Sequence, residues 1–250
     1  GIHWTNQTGN SEISLYAVDF VSTTVGWAVG DEGIILKTIN GGGGWSQQVS
    51  NTSATLQKVK FLNENLGWAV GYSGTILRTT DGGTTWEEQS SNTTQSLYGL
   101  SFVNNNVGFA SGDFGVVVST VDGGTTWNVQ TAHPDEPSLY DITFLDALTG
   151  WAVGDDGIIV KTSDGGSSWT TQQSGTINLL LKLQLVKNGA GGVLFTSGDG
   201  GTILCSSIHP LPMRTWTGLF DTLWFSGGNW DPLGIPEKLD SVVIPATIYM

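Results

Sequence analysis

The chain has 250 residues, with 9 basic and 22 acidic side chains, a net charge of −13 and a single cysteine. That balance excludes nucleic acid and anionic membrane surfaces as partners, because both need clustered Lys and Arg. One cysteine excludes an intrachain disulfide and a thiolate zinc cluster, so protein or glycan partners and a metal cation remain.

In chain order, the first expected element is a short strand within residues 2–8, around Trp4. The next ends at Phe20 and leads to Gly26-Trp-Ala-Val-Gly30. A third apolar strand, Ile34-Ile-Leu-Lys-Thr38, then runs into a turn at Asn40 that Trp45 closes. The same series returns three times: at Phe61, Gly67–Gly71, Asp81 and Trp86; at Phe102, Gly108–Gly112, Asp122 and Trp127; and at Phe144, Gly150–Gly154, Asp164 and Trp169. The closing tryptophans are spaced by 41, 41 and 42 residues.

Four short strands in about 41 residues is the size of a propeller blade. The near-continuous apolar third strand suits a sheet covered on both faces. At the turn, an Asp or Asn side chain accepts hydrogen bonds from backbone N–H groups further round, and the glycines permit positive φ. The closing Trp then buries the hairpin. Asn40, Trp45, Asp81, Trp86, Asp122, Trp127, Asp164 and Trp169 are therefore read as structural.

A degenerate fifth unit follows at Val193–Gly198 and Gly201–Ser206, without a turn or fourth strand of its own. Trp4 lies 41 residues before Trp45, in phase with the closing column. Residues 2–8 are accordingly expected to supply the outer strand of the fifth blade. The predicted fold is an all-β propeller of five four-stranded blades closed by that strand, with membership of a larger propeller, or a fourth strand at Trp216, as alternatives. Closure would remove an exposed sheet edge. Cys205, inside an apolar strand, is expected to be a buried thiol. Residues 1–207 form the expected propeller. Residues 208–250, rich in Trp and Pro, read as a linker or the start of a further module. No apolar run is long enough for membrane insertion.

The Ser/Thr-x-Asp-x-Gly-x-x-Trp turn resembles the Asp-box, or bacterial neuraminidase repeat. Residues 10–206, with their Gly-Trp-Ala-Val-Gly and Asp-Gly-Gly-x-x-Trp units, resemble propellers of the photosystem II stability/assembly factor type. That resemblance implies a non-enzymatic factor docking on a membrane protein. The chain departs from the type in blade count and in having only two arginines, Arg78 and Arg214, where those members carry a basic patch. The same scarcity excludes sialidase chemistry, which uses three arginines. Residues 208–250 resemble the openings of modules in large bacterial surface proteins. From this, and from the start at Gly1, the expected setting is extracellular or on the cell surface. The expected role is a non-catalytic binding, adhesion or scaffold domain. The alternatives are a propeller-type glycoside hydrolase using two Asp residues and a membrane-protein assembly factor.

The residues that vary between blades lie between strands two and three: Asp31 and Glu32, Tyr72 and Ser73, Asp113 and Phe114, Asp155 and Asp156, Asp199 and Gly200. These loops share one propeller face, so the candidate binding residues are Asp31, Glu32, Tyr72, Asp113, Phe114, Asp155, Asp156 and Asp199. Good turn chemistry explains much of the Gly-Asp-x-Gly pattern. No catalytic residue is assigned and no cofactor is required; Ca²⁺ held by carboxylates and carbonyls is the one admitted. The column Lys37, Arg78 and Lys161 is expected to be ion-paired or solvated. The three histidines lack ligand spacing. The segment His133–Pro137 reads as a contact loop between blades three and four.

Overall fold

The structure is a computed structural model. It describes residues 3, 5–7, 13–188 and 191–208, and short strands at 214–216, 230–231 and 242–243. Four consecutive four-stranded antiparallel sheets form blades one to four. Blade one comprises β1 (Leu15–Phe20), β2 (Gly26–Gly30), β3 (Ile35–Thr38) and β4 (Ser46–Gln48). Blade two comprises β5 (Leu56–Phe61), β6 (Gly67–Gly71), β7 (Ile76–Thr79) and β8 (Glu87–Gln89). Blade three comprises β9 (Leu97–Phe102), β10 (Gly108–Gly112), β11 (Val116–Thr120) and β12 (Asn128–Thr131). Blade four comprises β13 (Leu139–Phe144), β14 (Gly150–Gly154), β15 (Ile159–Thr162) and β16 (Thr170–Gln172). The fifth sheet has β17 (Leu180–Asn188), β18 (Gly191–Gly198) and β19 (Ile203–Ser207). The chain is thus an all-β propeller of the repeat type expected.

The Gly-Trp-Ala-Val-Gly strand owes both glycines to close approach. A Cβ on Gly26, Gly67, Gly108 or Gly150 would stand within 2.6 Å of the ring of the Phe beside it on strand one. A Cβ on Gly30, Gly71, Gly112 or Gly154 would stand within 2.1 Å of a carbonyl oxygen just before strand one. Strand two can therefore lie across strand one only where a side chain is missing at both ends. The aromatic residue between the glycines faces the next blade. Trp27 stacks on Phe61 at 3.5 Å, Trp68 on Phe102 at 3.6 Å, and Phe109 on Phe144 at 3.5 Å. Each stacked Phe then meets its own closing Trp edge-on. Around these pairs lie three apolar cores, one at each junction between consecutive blades.

Hydrogen bonds complete the junctions. The indole N–H of Trp27 donates to the carbonyl of Gly82, and that of Trp68 to Gly123. Two members of the column expected to be ion-paired or solvated, Lys37 and Lys161, do something else. The Lys37 ammonium donates to the Gly82 carbonyl at 2.8 Å and lies over the Trp27 ring, and Lys161 lies over Trp151. These cations satisfy carbonyls or aromatic faces at the blade junctions because the Asp-box turn projects its glycine carbonyls toward the preceding blade. Two ion pairs tie the inner strands: Lys60 to Asp19 between neighbours, and Lys58 to Asp141 between blades two and four, at 3.1 Å. Asp141 also accepts the N–H of Leu183.

Of the segment expected to close the ring, residues 2, 4 and 8 lie outside the described residues, and with them Trp4. Gln7 lies against Gly42 of the first Asp-box, donating to the Gly41 carbonyl. Gln48 stands in the same relation to Gly83, donating to Gly82. Cys205 is exposed rather than buried. It lies on β19, the outermost described strand of the fifth sheet, where no fourth strand covers it among the described residues. Trp216 belongs to a separate small sheet, in which β20 (Arg214–Trp216) pairs with β21 (Trp230–Asp231) and β22 (Val242–Val243). The chain divides into one compact unit of residues 1–184 and 196–204, and another of 185–195 and 205–250. No described helix is long and apolar enough to cross a membrane.

Candidate functional site

The loops joining strands two and three are single 3-10 turns: Asp31–Gly33, Tyr72–Gly74, Asp113–Gly115, Asp155–Gly157 and Asp199–Gly201. The first residue of each turn is pinned through its N–H. Asp31 donates to Ser14, Tyr72 to Thr55, Asp113 to Ser96, Asp155 to Ser138 and Asp199 to Leu179. The middle residue is left-handed in every blade: Glu32, Ser73, Phe114, Asp156 and Gly200 have φ of 55°, 56°, 55°, 51° and 62°. That conformation costs an L-residue about 1–2 kcal/mol, and it turns the middle side chain outward. Glu32, Asp156, Asp199, Tyr72 and Phe114 are exposed, while Asp31, Asp113 and Asp155 are half-buried.

The half-buried carboxylates are held by tyrosines that the sequence analysis did not single out. The Tyr16 hydroxyl donates to Asp31 at 3.1 Å, Tyr98 to Asp113 at 2.9 Å and Tyr140 to Asp155 at 3.0 Å. Each phenol precedes its carboxylate by 15 residues and follows the leucine that opens strand one (Leu15, Leu97, Leu139). That constant offset was a signal present in the sequence. Additional donors are Thr55 on Asp31, the Ser138 hydroxyl on Asp113, and the Ser138 N–H on Asp155.

In blade two the phenol sits in the turn itself. Tyr72 meets Tyr98 edge-on at 6.3 Å, and Tyr98 lies 5.5 Å from Tyr140. Three tyrosines are thereby joined on the turn-bearing face. Burial first, and then the hydrogen bond to Asp113, pushes the Tyr98 phenol up to about 12. Tyr140 is raised by burial and then by Asp155, and Tyr16 by its bond to Asp31 and then by burial. These phenols stay protonated and donating through the neutral range.

The segment His133–Pro137 folds back on the third turn, since Gly115 donates to the Pro137 carbonyl and Ala132 to the Gly115 carbonyl. It buttresses the turn next to Phe114. Among the described residues no group of three or more His, Cys, Asp or Glu side chains is placed to hold a metal ion.

The Asp-box residues lie apart from these turns, each within its own hairpin. Asp81 accepts the Thr79 hydroxyl, the Thr85 N–H and the Thr85 hydroxyl, and Asp122 and Asp164 repeat the pattern. Asn40 keeps the Oδ1 bonds, to Thr38 and Gly44.

Comparison with known proteins agrees with this architecture. The chain is similar in fold to virginiamycin B lyase from Staphylococcus aureus, at 15% identity and TM-score 0.64, over 81% of this chain and 72% of that one. An ancestral GH74 enzyme is similar at 15% identity and TM-score 0.59, over 82% of this chain and 32% of that one. A structure of YCF48 bound to a D1 peptide matches at 18% identity and TM-score 0.46, over 80% of this chain and 79% of that one. No curated protein sequence matches. The profile of the family described as photosynthesis system II assembly factor YCF48 matches residues 2–89, 44–131 and 88–173, which together run from 2 to 173. This overturns the expected extracellular or cell-surface setting, because assembly of photosystem II belongs inside the photosynthetic cell. Over more than half its length the chain carries the repeat of this family, and it belongs to the photosynthesis system II assembly factor YCF48 family.

Proposed function

We propose that the chain is a non-catalytic assembly factor that binds a segment of a photosystem protein on the face bearing the strand-two turns. Family membership supports the role, and the tyrosine–carboxylate rim supports the place. Tyr72 and Phe114 are exposed on turns whose backbones are pinned by hydrogen bonds. Aromatic anchors on a rigid frame bury large area at little entropic cost. Glu32, Asp156 and Asp199 are exposed on the corresponding turns of the other sheets, so the segment that fits is neutral or carries Lys or Arg rather than acidic residues. Asp31, Asp113 and Asp155 are engaged by the chain's own hydroxyls, an arrangement suited to holding the rim in shape rather than to paired acid–base work.

Titration with a D1 peptide, the ligand named for a solved YCF48, tests the reading by calorimetry. Saturable binding that weakens about tenfold, or about 1.4 kcal/mol, in Tyr72→Ala and in Phe114→Ala is the expected result. Absence of binding, or binding indifferent to both changes, counts against it. Both side chains are exposed, so neither substitution disturbs the core.

A further inference from the structure

Three of the turn carboxylates are held by tyrosines, and they are not equally engaged. Asp31 accepts the Thr55 hydroxyl on Oδ1 and the Tyr16 hydroxyl on Oδ2. Asp155 accepts the Tyr140 hydroxyl on Oδ1 and the Ser138 N–H on Oδ2. Asp113 takes both of its donors, the Tyr98 and Ser138 hydroxyls, on Oδ1. Among the described residues its Oδ2 accepts no hydrogen bond. The surroundings of this carboxylate are aromatic. Phe114 follows it on the same turn and is 56% exposed. Tyr98, which holds it, meets Tyr72 edge-on, and Tyr72 is 44% exposed. Blade two makes the place for that ring. Its turn opens with Tyr72 rather than a carboxylate, and its strand one has Gln57 where blades one, three and four have a tyrosine.

An acceptor left open beside exposed aromatic rings is the chemistry that receives a cation. We propose that Asp113, with Tyr72 and Phe114, forms a subsite for one lysine or arginine side chain of the partner segment. The subsite rests on the assembly role proposed above for the presence of a partner on this face, and it goes beyond that role in giving one residue the choice of side chain. The sign of the surrounding charge agrees, since the five turns contain no Lys or Arg and four of them open with Asp. Both lone pairs of Oδ1 are already used, so a guanidinium fork finds one free oxygen and cannot pair bidentately. Recognition therefore comes from a charge against an acceptor and a ring, which an ammonium supplies as well as a guanidinium does. Asp113 selects a basic side chain over a neutral one, whereas Asp31 and Asp155, filled by the chain's own donors, hold the frame.

Titration of the full chain with N-acetyl-lysine amide and with N-acetyl-arginine amide, followed by nuclear magnetic resonance, tests the subsite without any photosystem segment. Saturable shifts of the Phe114 and Gly115 amides are expected from both, and none from the neutral N-acetyl-norleucine amide. In Asp113→Asn the remaining Oδ1 still accepts from Tyr98 and Ser138, so the frame is kept while the charge and the free oxygen are lost. Half-saturation should then need at least about threefold more ligand. Tyr72→Leu, at an exposed position, should weaken binding about twofold or more. Glu64→Gln removes one charge from the exposed loop before β6, at the opposite end of that strand from the turn, and should leave the titration as it is. Circular dichroism verifies that all three variants are folded. Equal shifts from the norleucine amide, no shift from either cation, or an Asp113→Asn titration like that of the unsubstituted chain overturns the proposal. D1-peptide binding that persists beside such a result removes the subsite and leaves the assembly role in place. Cation binding at Asp113 without D1-peptide binding does the reverse.

Discussion

The Asp-box shows how one carboxylate organises a turn. Hydrogen bonds to Asp81 from the Thr85 N–H and hydroxyl lower its pKa from 3.8 to about 2, and Asp122 and Asp164 are lowered likewise by Thr126 and Ser168. A carboxyl whose folded value is depressed stabilises the fold above its unfolded value, and the contribution is lost as pH falls through the folded one. The melting temperature is therefore expected to fall as pH drops from 3.8 toward about 2. Asp122→Asn, which copies the neutral acceptor that blade one already has at Asn40, should flatten part of that fall. Calorimetry at a series of pH values checks both, and an unchanged slope in the variant would contradict the assignment. Much of this was legible in the sequence, because every donor and acceptor of the box lies within a few residues of the others. The Tyr–Asp pairs of the rim were harder to see, because their partners meet only when strands one and two pair.

At the scale of the element, the Gly-Trp-Ala-Val-Gly strand combines two close approaches with one outward ring. Gly108→Ala would place a methyl group 2.3 Å from the Phe102 ring, and overpacking of this kind costs about 1–3 kcal/mol. Trp27→Phe keeps the stack on Phe61 but loses the indole donor to Gly82, a loss of about 1 kcal/mol. Trp27→Ala removes the stack as well and should cost about 3–5 kcal/mol. Urea unfolding orders the three, and Trp27→Phe as damaging as Trp27→Ala would show that the hydrogen bond, not the ring contact, dominates the junction. The strand was recognisable from its spacing alone, but the role of Lys37 was not. A cation on an apolar strand reads as solvated or ion-paired until the next blade brings the Gly82 carbonyl to it.

Across the molecule, stability rests on junctions between consecutive blades, so the same substitution should cost different amounts at different places. Phe61→Ala, in a filled junction, is expected to cost about 3–5 kcal/mol. Phe20→Ala, at a half-exposed position on blade one, should cost less than half as much. Equal costs by urea unfolding would mean that Phe20 is covered in solution. The period of about 41 residues, the four strands of each blade and the self-contained turns were determined by the sequence itself, because short antiparallel hairpins are specified by local alternation and glycine placement. Tertiary structure alone decided which faces are covered, which carbonyls the cations reach, and which tyrosines hold the rim. Those contacts join residues about 15 to 83 positions apart. Equivalent positions in a repeat look alike in sequence, whereas their burial depends on whether a neighbouring blade is there to meet them. Phe20 and Phe61 occupy the same place in the repeat, yet among the described residues one is 42% exposed and the other 2%.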